Sequence, residues 1–97
     1  MNNIITKEKV EKYFSITEEA INKVKILLPE KTPLYKIAYD FLEMAKNYFN
    51  DAKYFYNKKE DLVLAYGALN YAHGWLDSGA RIGLFDVDHD SRLFTVD

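Results

Sequence analysis

The chain has 97 residues, 48% of them hydrophobic and 29% charged, with a formal net charge of -2 and no cysteine. That balance belongs to an ordinary globular domain and excludes the weakly hydrophobic, highly charged class of disordered chains. The lack of cysteine excludes a disulfide framework, a thiolate metal site and a cysteine nucleophile.

The opening residues, Met1 to Lys7, have neither the charged start nor the apolar run of a secretory signal. No segment approaches the roughly 20 apolar residues of a membrane span, so a single cytoplasmic domain over residues 1–97 is expected. The small net charge hides an asymmetry. Residues 1–59 carry eleven lysines against eight acids, while residues 60–97 carry two arginines against seven acids. A protein that reads nucleic-acid backbones usually concentrates its basic residues in a stripe, so this split argues weakly for such a role and equally well for head-to-tail pairing of two copies.

In chain order, Thr6 is a suitable N-cap for a first helix running to about Leu28, where Pro29 stops it. Val10, Tyr13, Phe14, Thr17, Ala20, Ile21, Val24, Leu27 and Leu28 repeat in steps of three and four, which predicts one buried face. Thr32 and Pro33 then supply a cap and a first helical residue for a second helix over 33–57. Its stripe is Leu34, Ile37, Ala38, Phe41, Ala45, Tyr48, Ala52 and Phe55. Asn57 suits a left-handed helix end, and Glu60 or Asp61 suits the next start. The short links predict antiparallel neighbours.

The third helix, predicted over 61–85, carries two apolar lines. Leu62, Ala65, Leu69, Ala72, Leu76 and Ala80 form one, and Leu64, Ala68, Tyr71, Trp75 and Ile82 the other. Both sides are therefore expected to meet partners. This helix also holds all four glycines, Gly67, Gly74, Gly79 and Gly83, each costing roughly 1 kcal/mol of helix propensity relative to alanine. Close approach of neighbouring atoms along the helix is the expected reason. The tail, 86–97, loses the helical period and is predicted to be an acidic turn followed by an extended Leu93-Phe94-Thr95-Val96. The sum is an all-α, three-helix antiparallel up-and-down bundle with a short extended tail.

Three constellations carry chemistry. Asn70, His73, Asp77 and Arg81, spaced by three, four and four, form a polar row down one face of the third helix, with Trp75 close by. The row suits an anion or a polar partner group, or else a chain of surface ion pairs. It makes a poor catalytic set, because Ser78 points about 100° away from Asp77 around the helix. His73 and Asp77 also supply only two ligands where zinc wants three or four. In the tail, Asp86, Asp88 and Asp90 begin like a calcium loop, with Leu93 and Asp97 at its eighth and twelfth positions, but Ser91 replaces the turn glycine. Lys46, Lys53, Lys58 and Lys59 near Tyr54 and Tyr56 could touch phosphates and stack bases, although such lysines more often simply solvate a helix. No catalytic residue, resident metal or cofactor is expected.

The run Tyr71-Ala72-His73-Gly74-Trp75-Leu76-Asp77-Ser78-Gly79-Ala80-Arg81-Ile82-Gly83-Leu84-Phe85 resembles the signature of a family of short archaeal proteins known as domain of unknown function 357. Tyr48-Phe49-Asn50-Asp51-Ala52-Lys53-Tyr54 resembles that family's second-helix segment. The resemblance spans roughly Leu34 to the C-terminus, while the first helix matches in its pattern. It implies a three-helix bundle in an archaeal cytoplasm and no particular activity. It also marks Asp51, Gly74, Trp75, Asp77, Gly79, Arg81 and Gly83 as family-pattern positions. The favoured expectation is a non-catalytic interaction module that forms a homo-oligomer or meets another protein through its third helix. The alternatives are a small-molecule or anion binder using Asp51, His73, Trp75, Asp77 and Arg81, and a nucleic-acid binder using the lysine and tyrosine surface.

Overall fold

A computed structural model describes residues 1–96 and has three α-helices: α1 (Lys7–Lys23), α2 (Pro33–Asn57) and α3 (Leu62–Arg81). Each begins at a side chain that accepts an otherwise unpaired backbone N–H. The Thr6 hydroxyl accepts from Lys9 at 3.2 Å, the Thr32 hydroxyl from Tyr35 at 3.2 Å, and the Asp61 carboxylate from Leu64 at 2.9 Å. Such caps stabilise a helix by about 1 kcal/mol each. The α2 to α3 turn closes differently from expectation. Asn57 stays helical, and Glu60 takes the left-handed conformation, φ 52°, as the Asp61 N–H returns to the Phe55 carbonyl at 3.0 Å.

The helices form an all-α antiparallel bundle in which α3 packs far more extensively on α2 than on α1. Two ring pairs fix the α2–α3 register: Phe41 meets Trp75 edge-on at 4.9 Å, and Tyr48 meets Tyr71 at 4.4 Å. Ala38 and Ala45 are buried in one cluster with Leu76 and Ala80, and Ala52 in another with Ala65, Ala68, Leu69 and Ala72. Small residues thus recur every seven positions on both helices, the spacing that keeps one seam in contact along an antiparallel pair. The larger buried chains Phe49, Leu69 and Leu76 complete the core together with Val10, Thr17 and Ala20 of α1.

At the lower end the structure departs from the sequence reading in three ways. α1 stops at Lys23, not near Leu28, because Val24 is extended and Lys25 pairs with the tail. Lys25 and Asp86 exchange two backbone hydrogen bonds, of 3.0 and 2.8 Å, which would be lost if the helix continued. Leu27 is consequently exposed rather than part of a buried face.

α3 stops at Arg81, not Phe85. Gly83 adopts φ 85°, its N–H reaching the Ala80 carbonyl at 3.3 Å while the Leu84 N–H reaches the Gly79 carbonyl at 2.9 Å. This is a Schellman end, for which glycine is favoured because it tolerates positive φ.

The tail, finally, is not extended over Leu93 to Val96. It turns at Asp88 and His89, both with positive φ, and again at 91–93, burying Leu93 and Phe94 in the lower core beside Phe85 and Val87. Four buried apolar side chains outweigh the mild strain of the turns, each worth roughly 1.5–3 kcal/mol when fully buried.

Candidate functional site

The polar row on α3 is under the tail. His73 Nε2 lies 2.5 Å from the Leu93 carbonyl oxygen and 3.8 Å from Asp77 Oδ1, and the same Asp77 oxygen accepts the Thr95 N–H at 2.9 Å. Beside this clasp is a cavity of about 400 Å³ between α1, α3 and the tail. Tyr13, Thr17, Asn70, His73, Asp77 and Arg92 contribute its polar lining. Arg92 also pairs with Glu19 of α1, whose hydrogen bond and negative charge raise the guanidinium's pKa above its ordinary value. Sequence reasoning missed Arg92, because nothing in the period of α3 reveals how an irregular tail returns to it.

The other site residues scatter. Trp75 stands on the opposite flank of α3, in a mainly apolar cleft of about 350 Å³ lined by Phe41, Tyr71, Gly74, Trp75 and Ser78. Its indole Nε1 is buried without a hydrogen-bond partner. Arg81 lines a third cavity, of about 400 Å³, with Asp86 and His89. Asp51 is exposed on α2. Of the five expected residues, the structure therefore brings together only His73 and Asp77. The separation is helical geometry: Trp75 and Asp77 are two residues, about 200°, apart around α3. The alternative chain of surface ion pairs is also incomplete, since Asp77 is bonded to His73 and the tail.

The three tail acids do not converge. The Asp86 carboxylate accepts the Asp88 N–H at 2.9 Å, whereas Asp90 accepts the Arg92 and Leu93 N–H groups at 3.0 and 3.1 Å and lies 3.7 Å from Lys23 Nζ. Among the described residues no three His, Cys, Asp or Glu side chains are grouped to hold a metal. Asp97, the twelfth position of the supposed calcium loop, lies outside the described residues. Burial raises the Asp90 pKa, but the two backbone donors and the charges of Arg92 and Lys23 outweigh it and hold the carboxyl below its ordinary value. A lowered folded pKa means that Asp90 stabilises the tail fully above the ordinary aspartate range, and that this support is lost as pH falls through the folded value. The protection of the Arg92 and Leu93 amides, taken relative to their intrinsic exchange rate at each pH, should accordingly fall below about pH 4, and Asp90→Asn should remove that acid step.

The lysine group is occupied locally. Lys46 lies 3.9 Å from Glu43, Lys53 covers the Phe49 ring at 4.8 Å, and Lys59 covers Tyr54 at 5.9 Å. Tyr56 is turned inward against Phe14. Of the two tyrosines near these lysines, Tyr54 is thus half exposed and Tyr56 partly buried.

What remains is the outer side of α3. Val63, Leu64, Tyr71 and Ile82 are 67%, 49%, 54% and 64% exposed, and Gly67, Gly74 and Ser78 lie exposed among them. From Leu62 to Ala80 the sole charged residue is Asp77, which faces the tail. Here the expectation that all four glycines are crowded fails. A Cβ on Gly79 would overlap the Phe85 ring, and Gly83 serves the helix end, but Gly67 and Gly74 have nothing within 4 Å of where a Cβ would sit. The missing side chains open the surface instead of admitting a neighbour from the same chain.

Three capped antiparallel helices, a small-residue α2–α3 seam and a C-terminal strap define a single-core helical bundle with one uncharged helix face. No helix is long and apolar enough to cross a membrane among the described residues. The family described as "Protein of unknown function (DUF357)" matches residues 12–85, and the chain belongs to that family. The match takes in most of α1, which the signature segments alone did not identify, and stops short of the tail. No curated protein and no solved structure matches the chain.

Proposed function

We propose that this chain is a non-catalytic interaction module of the cytoplasm that self-associates through the outer face of α3. The observation that supports this most is the outer strip of Val63, Leu64, Gly67, Tyr71, Gly74 and Ser78, which carries no charge until Arg81 at its end, in a protein 29% of whose residues are charged. Contiguous exposed apolar surface of this kind marks contact sites. A non-catalytic role is supported by His73, whose Nε2 is taken up by the Leu93 carbonyl. Sedimentation at micromolar concentration should show a dimer or larger species, and a strict monomer would end this reading.

The two exposed glycines supply a sharper test. Gly67→Ala with Gly74→Ala removes roughly 1 kcal/mol of helix penalty at each site, and nothing in the chain obstructs either Cβ. The double variant should melt several degrees higher at low concentration, yet associate about tenfold more weakly if the glycines serve close approach. Unchanged association would remove the glycines from the argument.

A second reading, binding of a small polar molecule, draws support from the cavity beside His73, Asp77 and Arg92. Its test is a thermal-shift screen with polar metabolites on the wild type and on His73→Ala. A hit common to both proteins would count against that cavity. Nucleic-acid binding, the third reading, predicts retention in a low-salt filter assay.

A further inference from the structure

The outer face of α3 has an uneven relief. Its exposed residues alternate large and small along the helix: Leu64, Gly67, Tyr71, Gly74, then Ser78 and Ile82. The cleft over Gly74, walled by Phe41, Tyr71, Trp75 and Ser78, has a volume of about 350 Å³ and no side chain at its floor. Tyr71 is the one large aromatic of the strip, half exposed and immediately beside that cleft.

Resting on the self-association proposed above, we infer that two copies meet with their α3 helices antiparallel about a two-fold axis near residues 72 and 73. Each Tyr71 sits in the Gly74 cleft of the other copy. A two-fold contact is isologous, so every feature must complement its own copy. An axis at that position does so throughout. Tyr71 faces Gly74, Gly67 faces Ser78, and Val63 faces Ile82, so the strip overlaps along its full length. The exposed apolar chains of Val63, Leu64, Tyr71 and Ile82 offer roughly 400 Å² per copy, about half of the ~800 Å² per partner of a standard interface.

Charge selects the direction. Arg81 closes the strip at one end, and Glu60 and Asp61 stand just before its other end. In a parallel pair the two Arg81 side chains would face each other, and the α3 dipoles would align unfavourably. In the antiparallel pair Arg81 of one copy comes beside Leu64 of the other, one helical turn from Glu60, and opposite charges meet at both rims. The face between carries no charge that a second copy would have to neutralise.

The absence of native cysteine makes the test clean. In the antiparallel pair Val63 of one copy faces Ile82 of the other, whereas the two copies of position 63, like those of position 82, are about 28 Å apart along the helix. A disulfide spans Cα atoms up to about 7 Å apart. A mixture of Val63→Cys and Ile82→Cys should therefore cross-link under mild oxidation at least tenfold more efficiently than either variant alone. Both side chains are exposed, so neither variant is expected to unfold. Charge reversal gives an independent readout. Arg81→Glu and Glu60→Lys should each weaken dimerisation about fivefold, and the double reversal should restore it.

Cross-linking of Val63→Cys alone and of Ile82→Cys alone would indicate a parallel pair and overturn the inference, as would a dimer whose mixture forms no disulfide. Both outcomes leave self-association standing. A wild-type protein that sediments as a monomer at every concentration removes the underlying reading itself.

Discussion

Phe85→Ala is expected to lower the unfolding free energy by about 3–5 kcal/mol, the usual cost of truncating a buried phenylalanine. Phe85 is buried just beyond the α3 end and lies over Gly79, where a Cβ would overlap its ring. Removing the ring leaves a void that Gly79 cannot fill, since it has no side chain to turn inward. It also loosens the tail, because Leu84, Phe85, Val87, Leu93 and Phe94 belong to one buried cluster. Against a typical stability of 5–15 kcal/mol, such a loss brings a small domain close to unfolding at moderate temperature. Urea titration followed by helical circular dichroism measures it. A cost below about 1 kcal/mol would mean that Phe85 does not plug the lower core.

The second large effect concerns association rather than folding. For the dimer proposed above, Tyr71→Asp should raise the dissociation constant by roughly 30-fold to 1,000-fold, the range of a central aromatic hot spot worth about 2–4 kcal/mol. The monomer should survive, because Tyr71 is half exposed and gives up chiefly its ring contact with Tyr48, at 4.4 Å. Sedimentation together with thermal unfolding separates the two quantities. A variant that is less than threefold weaker in association, yet fully folded, would place the contact elsewhere.

The bundle was legible because its signals are local. Thr6, Thr32 with Pro33, and Asp61 each announce a helix start through their own chemistry, and steps of three and four mark the buried faces. What escaped depends on pairing between distant segments. Lys25 leaves the helix because Asp86 offers it hydrogen bonds, 61 residues later, and nothing around Lys25 encodes that choice. Gly79 and Gly83 were visible as anomalies, but their reasons, a ring and a helix end, required Phe85 and Leu84 to be placed.

The candidate site was legible only in part. Helical spacing correctly joined His73 to Asp77, but it also suggested Arg81, which lines a different cavity, while the tail brought Arg92 to the row instead. One sequence signal could have been read further. Ala38, Ala45 and Ala52, with Ala65, Ala72 and Gly79, recur every seventh position and already describe the seam between α2 and α3.

That seam has a mechanical consequence. Alanine has no rotamers to choose among, so the alanine positions of the seam lose almost no side-chain entropy on docking, while the Phe41–Trp75 and Tyr48–Tyr71 ring pairs hold the register. The hairpin of α2 and α3 thus behaves as a stiff beam whose width is set by backbone proximity. Whatever grips the outer side of the beam therefore grips an object of fixed shape.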